Sequence, residues 1–68
     1  MTLYTSHCPK CKILERILID KKVDFIKEDN ERIYLPIAES NNIMSMPFAE
    51  ISGNILNTKE LQTYITSI

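Results

Sequence analysis

Tyr4-Thr5-Ser6-His7-Cys8-Pro9-Lys10-Cys11-Lys12 is the stretch that decides the fold. It holds both cysteines of the chain, separated by two residues, with a proline directly after the first. Met1 and Leu3 alternate with Thr2 and Tyr4, the period of a strand, and Ser6-His7 form a turn. From Pro9 onward Cys11, Ile13, Leu14, Ile17, Leu18 and Ile19 make a wide apolar stripe at helical spacing, and Pro9 fits the first turn of a helix, where its missing N–H is not needed. The spacing therefore predicts a strand to about Thr5 and a helix over Lys10–Lys21, with Cys8 at the junction.

Working outward, Lys21 and Lys22 place positive charge at the negative end of that helix, and Val23–Lys27 reads as a second strand free of glycine and proline. Strand, helix and strand make a βαβ unit whose two strands are parallel neighbours. Ile33, Tyr34, Leu35, Ile37 and Ala38 carry a helical pattern interrupted by Pro36, which predicts either a short helix begun at Pro36 or a kinked one begun near Asn30. Asn41-Asn42 ends it, since asparagine tolerates the left-handed conformation found at helix C-termini. Phe48–Ile51 is a strand that pairs Phe48 with Glu50 on one face and Ala49 with Ile51 on the other, the pattern of a strand covered on both sides. Ser52-Gly53-Asn54 carries the only glycine of the chain, where a tight hairpin needs positive φ, and Ile55-Leu56 is its antiparallel partner. Asn57-Thr58-Lys59-Glu60 is a capping box opening a last helix, with Leu61, Tyr64, Ile65 and Ile68 on its buried stripe. The order is βαβ, a helix, then ββα: an α/β fold with a four-stranded mixed sheet and helices on both faces.

Bulk properties bound the function. With 68 residues there is one domain, and 44% hydrophobic with 25% charged residues marks a globular chain rather than a disordered one. A net charge of −1 gives no reason to expect nucleic acid or an anionic membrane as partner. No apolar run of signal-peptide length precedes His7, so the expected compartment is the cytoplasm, where a cysteine pair is more often catalytic or metal-binding than a structural disulfide. A closed zinc site needs four ligands, and Cys8, Cys11 and His7 come without a second cysteine pair, so no metal site is expected. Haem attachment requires a histidine after the second cysteine, where Lys12 stands.

The strand, the Cys8-Pro9-Lys10-Cys11 run at a helix start, and the later Ser45-Met46-Pro47 opening a hairpin strand together resemble the thioredoxin fold. More narrowly, they resemble glutaredoxins, whose proline-second middle Pro9-Lys10 matches, and the chain lacks the tryptophan that thioredoxins carry before the first cysteine. The resemblance covers nearly all of residues 1–68 as one glutaredoxin-like domain. It implies the βαβ-α-ββα arrangement with three flanking helices, a cis bond before Pro47, and glutathione as a reducing co-substrate with no bound cofactor. Glutaredoxins usually carry a Gly-Gly pair and an aspartate near the start of the last helix, where the γ-glutamyl end of glutathione binds. Leu56-Asn57-Thr58-Lys59 stand there instead, and the helix N-terminus with the Asn57 and Thr58 side chains becomes the expected carboxylate receiver. Short glutaredoxin-like proteins that donate hydrogen to ribonucleotide reductase, and are themselves reduced by thioredoxin reductase, are similar in size.

The expected chemistry follows from position. A thiolate at a helix N-terminus is stabilised by free N–H groups and the helix dipole, which makes Cys8 the attacking residue, and Cys11, one turn further in, the residue that resolves the mixed disulfide. Lys10 and Lys12 add positive charge that stabilises the reduced form, so Lys10→Glu is expected to make the couple more reducing. His7, beside Cys8, is a secondary candidate for a base, and Pro9 shapes the site. Met46 before Pro47 offers backbone groups to an extended substrate segment. Tyr4, Tyr34 and Met44 are assigned to the core rather than to that groove, and Glu15, Arg16 and Glu28–Arg32 to solvated faces. The expected protein is a monomeric thiol–disulfide oxidoreductase acting on disulfide-bearing proteins, ribonucleotide reductase among them, or on small disulfides. A non-catalytic binding module, with metal bridged between two copies at the cysteines, is the reading from another class.

Overall fold

Leu3 and Tyr4, neighbours on the first strand, point into two different hydrophobic cores, and the architecture is built around that split. The computed structural model describes all 68 residues as β1 (Thr2–Tyr4), α1 (Pro9–Asp20), β2 (Ile26–Glu28), α2 (Glu31–Ser40), β3 (Phe48–Ile51), β4 (Asn54–Leu56) and α3 (Thr58–Ser67). The strands form one four-stranded mixed sheet in the order β2-β1-β3-β4. β1 runs parallel to β2, with Leu3 opposite Lys27, and antiparallel to β3, with Leu3 opposite Ala49. β3 and β4 are an antiparallel hairpin with Ile51 opposite Asn54. On one face Leu3 and Ala49 meet Leu14 and Leu18 of α1 and Leu61 and Ile65 of α3. On the other, Tyr4 and Phe48 meet Tyr34 and Ala38 of α2. Phe48 stacks on Tyr4 at 4.7 Å between ring centroids and takes the edge of Tyr34 at 6.5 Å, geometries that add to the apolar area removed from water.

Local rules account for most element ends. Ser52 and Gly53, at φ 52° and 84°, form the two-residue turn in which both positions need positive φ. The capping box at α3 is closed on both sides: Glu60 N–H donates to Asn57 Oδ1 at 2.8 Å, and Asn57 N–H donates to Glu60 Oε1 at 3.0 Å. α2 starts at the Asn30 cap and runs through Pro36, the longer of the two predicted forms. The ring leaves the Arg32 carbonyl without its helical donor, and both residues face solvent, where water replaces that bond. α2 stops where Asn42 takes φ 56° and Ile43 N–H reaches back to the Ala38 carbonyl at 2.8 Å.

Three expectations need correction. The second strand is Ile26–Glu28 rather than Val23–Lys27. Lys22 adopts φ 58°, Val23 N–H donates to the Leu18 carbonyl at 3.0 Å, and Lys22 N–H donates to that of Ile19, so Val23 closes α1 and packs on its core instead of entering the sheet. Lys21 is the C-cap and its ammonium donates to the Ile68 carbonyl at 2.8 Å, so α1 ends by backbone geometry, with no basic residue in its last turn. The buried stripe of α1 is narrower than the sequence pattern, because Cys11, Leu14 and Leu18 are buried while Ile13 and Ile19 are exposed; Ile68, beyond the end of α3, is exposed too.

Candidate functional site

The end of β1 and the start of α1 place the two cysteines. Cys8 is the N-cap of α1, with extended backbone at φ −70° and ψ 165°, and Pro9 follows at the first helical position. The Cys11 N–H donates to Cys8 Sγ at 3.2 Å, so the sulfur has the place that a serine or aspartate oxygen occupies at other helix starts. The Cys8 thiol donates to Cys11 Sγ at 2.7 Å, and both cysteines are free. Cys8 is half-buried and Cys11 is wholly buried.

Burial pushes the Cys11 thiol up, but hydrogen bonds from Cys8, from the Thr5 hydroxyl, and from the backbone and hydroxyl of Ser6 outweigh it and bring it down to about 7. Ser6 Oγ lies 3.7 Å from Cys11 Sγ. Thr5 is itself buried and its hydroxyl oxygen accepts the His7 N–H at 3.1 Å, which leaves its own proton to donate. Negative charge on the dithiol is thus held by oriented donors inside the fold.

Opposite the cysteines lies the loop before β3. The Met46-Pro47 bond is cis, and the Met46 carbonyl is 3.8 Å from Cys8 Sγ. The structure therefore brings Met46, which precedes Pro47, against Cys8 at the start of α1, where Pro9 and Cys11 also lie. His7, at φ 62°, turns its ring to Asp29 in the β2–α2 connection, with Nε2 2.8 Å from Oδ2. That hydrogen bond is the main cause holding the Asp29 carboxyl below its ordinary range, against the opposing effect of desolvation. Lys10 and Lys12 are exposed. Lys12 and His7 line a shallow hollow of about 380 Å³ with Glu15, Arg16, Ile19 and Lys27, beside the dithiol rather than over it. Within that hollow Lys27 pairs with Glu15 at 3.4 Å.

Asn57 and Thr58 are placed differently from the other candidates. The Asn57 side-chain oxygen is committed to capping α3. Thr58 is 5% exposed, its hydroxyl donates to the Pro47 carbonyl at 2.8 Å, and Ser45 Oγ lies 2.9 Å from it. Tyr4 and Tyr34 are core residues, as assigned, but Met44 is 98% exposed. No three histidine, cysteine or acidic side chains converge in a group that would hold a metal, and no helix is long and apolar enough to cross a membrane. Sequence reasoning passed over Thr5, Ser6, Ser45 and Asp29. Thr5 was visible there as the end of the strand and Ser6 as part of the turn, and Asp29 was assigned to a solvated face with nothing local to point it toward His7. No protein-family model, curated protein or solved structure matches the chain, so function is read from the chemistry of the site.

Proposed function

We propose that the chain is a thiol–disulfide oxidoreductase of thioredoxin-like fold, similar to glutaredoxins, working in the cytoplasm through Cys8 and Cys11 without a bound cofactor. The observation that carries this reading is Cys8 at the N-cap of α1, with the Cys11 N–H at 3.2 Å and the Cys11 sulfur at 2.7 Å from its own. In the forward reaction Cys8 passes its proton to Cys11 Sγ along their 2.7 Å hydrogen bond and, as thiolate, attacks a substrate disulfide. A Cys8–substrate bond forms, and the first substrate thiolate leaves and takes up the proton from Cys11. Cys11 Sγ, as thiolate, then attacks Cys8 Sγ, and the second substrate thiolate leaves with the electron pair. The substrate gains two electrons and the dithiol becomes a disulfide. A protein substrate, ribonucleotide reductase being one candidate, would lay an extended segment along the Met46 backbone, whose carbonyl already faces Cys8.

Glutathione and thioredoxin reductase are the two candidate electron sources. The capping box favours the reductase, because the Glu60 carboxylate already occupies the N-terminus of α3 where an incoming carboxylate would be received. A coupled assay tests both: turnover of a small disulfide with NADPH and thioredoxin reductase, compared with glutathione and glutathione reductase. Turnover with either, lost in Cys8→Ser, together with a mixed disulfide trapped in Cys11→Ser, supports the proposal. No turnover with both, or a Cys8→Ser variant as fast as the parent, overturns it. Stoichiometric zinc or iron on the purified, inactive protein would point to the binding-module reading.

A further inference from the structure

The hydroxyl of Thr58 is buried, has a single proton, and gives that proton to the Pro47 carbonyl at 2.8 Å. The 2.9 Å contact with Ser45 must then be donated by Ser45 to Thr58, which fixes the direction of the whole chain: Ser45 O–H to Thr58 Oγ1, Thr58 O–H to Pro47 C=O. Residues 45 and 47 are held by the same oxygen, and Met46 is the residue between them. Its carbonyl is the one that lies 3.8 Å from Cys8 Sγ. The anchor is firm, because Thr58 is the first residue of α3, directly after the Asn57 cap, on a helix pinned to the core by Leu61 and Ile65.

We infer that Thr58 is a positioning residue: by clamping Ser45 and Pro47 on one buried hydroxyl, it sets the Met46 backbone opposite Cys8 as a ledge for an extended disulfide-bearing segment. The ledge is in place before substrate arrives, so a bound segment need not order it. Thr58 therefore acts through the loop and not by touching substrate, unlike the carboxylate receiver that its sequence position first indicates. The docking consequence rests on the oxidoreductase reading above, whereas the clamp is a property of the folded chain.

The test compares Thr58→Val, which keeps the shape and removes the hydroxyl, with Thr58→Ser, which keeps the hydroxyl. Two substrates are used: a decapeptide dimer joined by one disulfide, and 2-hydroxyethyl disulfide, which has no backbone to dock. Thr58→Val, which removes both hydrogen bonds of the clamp, should raise KM for the peptide about fivefold, with kcat little changed. The loss should be confined to the peptide, and Thr58→Ser should restore its KM. Ser45→Ala, at an exposed position, should move the peptide KM in the same direction by less. Equal losses on both substrates, no loss on either, or a serine variant as poor as the valine one overturn the inference. If the parent reduces neither disulfide, the oxidoreductase reading fails, and the clamp is judged by the ¹³C carbonyl resonance of Met46. A resonance that moves in Thr58→Val and returns in Thr58→Ser supports the clamp, and one that stays in place in Thr58→Val overturns it.

Discussion

Raising the pH should stabilise the reduced protein, and the gain should come from the cysteine pair. The Cys11 thiol falls from 9.0 to about 7 on folding. Because the folded value lies below the unfolded one, the unfolded chain binds more protons between the two, and stability rises with pH across that window. The contribution is absent below about pH 7, grows from there to pH 9, and is complete above. Two pH units at about 1.4 kcal/mol each put the gain on the order of 2 to 3 kcal/mol for the cysteine pair as a whole. In a chain of this size, with a total stability of roughly 3 to 5 kcal/mol, that is a large share. With a urea slope of about 1 kcal/mol/M, the midpoint should move up by about 2 to 3 M between pH 6 and pH 9.5 in the presence of a phosphine reductant. Tyr4 and Tyr34, raised mainly by burial, ionise above this window, and Asp29 ionises well below it. Urea titrations of the parent and of Cys11→Ser at both pH values are the measurement. A parental midpoint that moves by less than about 0.3 M, or a serine variant that gains as much as the parent, would refute the reasoning.

Phe48→Ala, which empties the centre of the aromatic cluster, should cost about 3 to 5 kcal/mol and leave the chain largely unfolded by circular dichroism at 25 °C. Asn57→Ala opens the capping box and should lower stability by about 1 kcal/mol in the same urea assay. Gly53→Ala places a Cβ at φ 84°, where nothing lies within 4 Å, so the cost is conformational alone, about 1 kcal/mol. Lys10→Glu should make the redox potential more negative. Lys10 is exposed, so the expected change is a few tenths of a kcal/mol, about 6 mV, against a glutathione or dithiothreitol buffer. A shift toward positive values would contradict the sign.

What was legible in the sequence is what neighbouring residues decide. The strand-to-helix junction at Cys8, the Ser52-Gly53 hairpin, the Asn57–Glu60 capping box and the double-faced burial of Phe48 and Ala49 all rest on short-range rules, and the folded chain has each of them. The start of β2 was not legible, because Val23 has strand propensity but is claimed by the closure of α1 through the Leu18 carbonyl. The choice between two forms of α2 turned on whether the Asn30 cap outweighs one lost hydrogen bond at Pro36, and propensities do not settle such a balance. The site shows the same division. Cys8 and Cys11 announce themselves by spacing, whereas the destination of the Thr58 hydroxyl depends on Pro47, and that of the His7 ring on Asp29, partners the fold alone brings near.

The position of β1 between β2 and β3 has a consequence for the order in which the protein becomes itself. A ribosome releases β1, α1 and β2 first, and these can form one edge of β1 while the chain is still short. The other edge waits for β3, a non-local partner of the kind that pairs slowly. Both thiols have been made by Cys11, long before the Ser45–Pro47 segment that faces them. A nascent chain thus carries its cysteine pair for a period without the wall opposite it, and that wall is fastened only when Thr58, made later still, reaches Pro47 and Ser45.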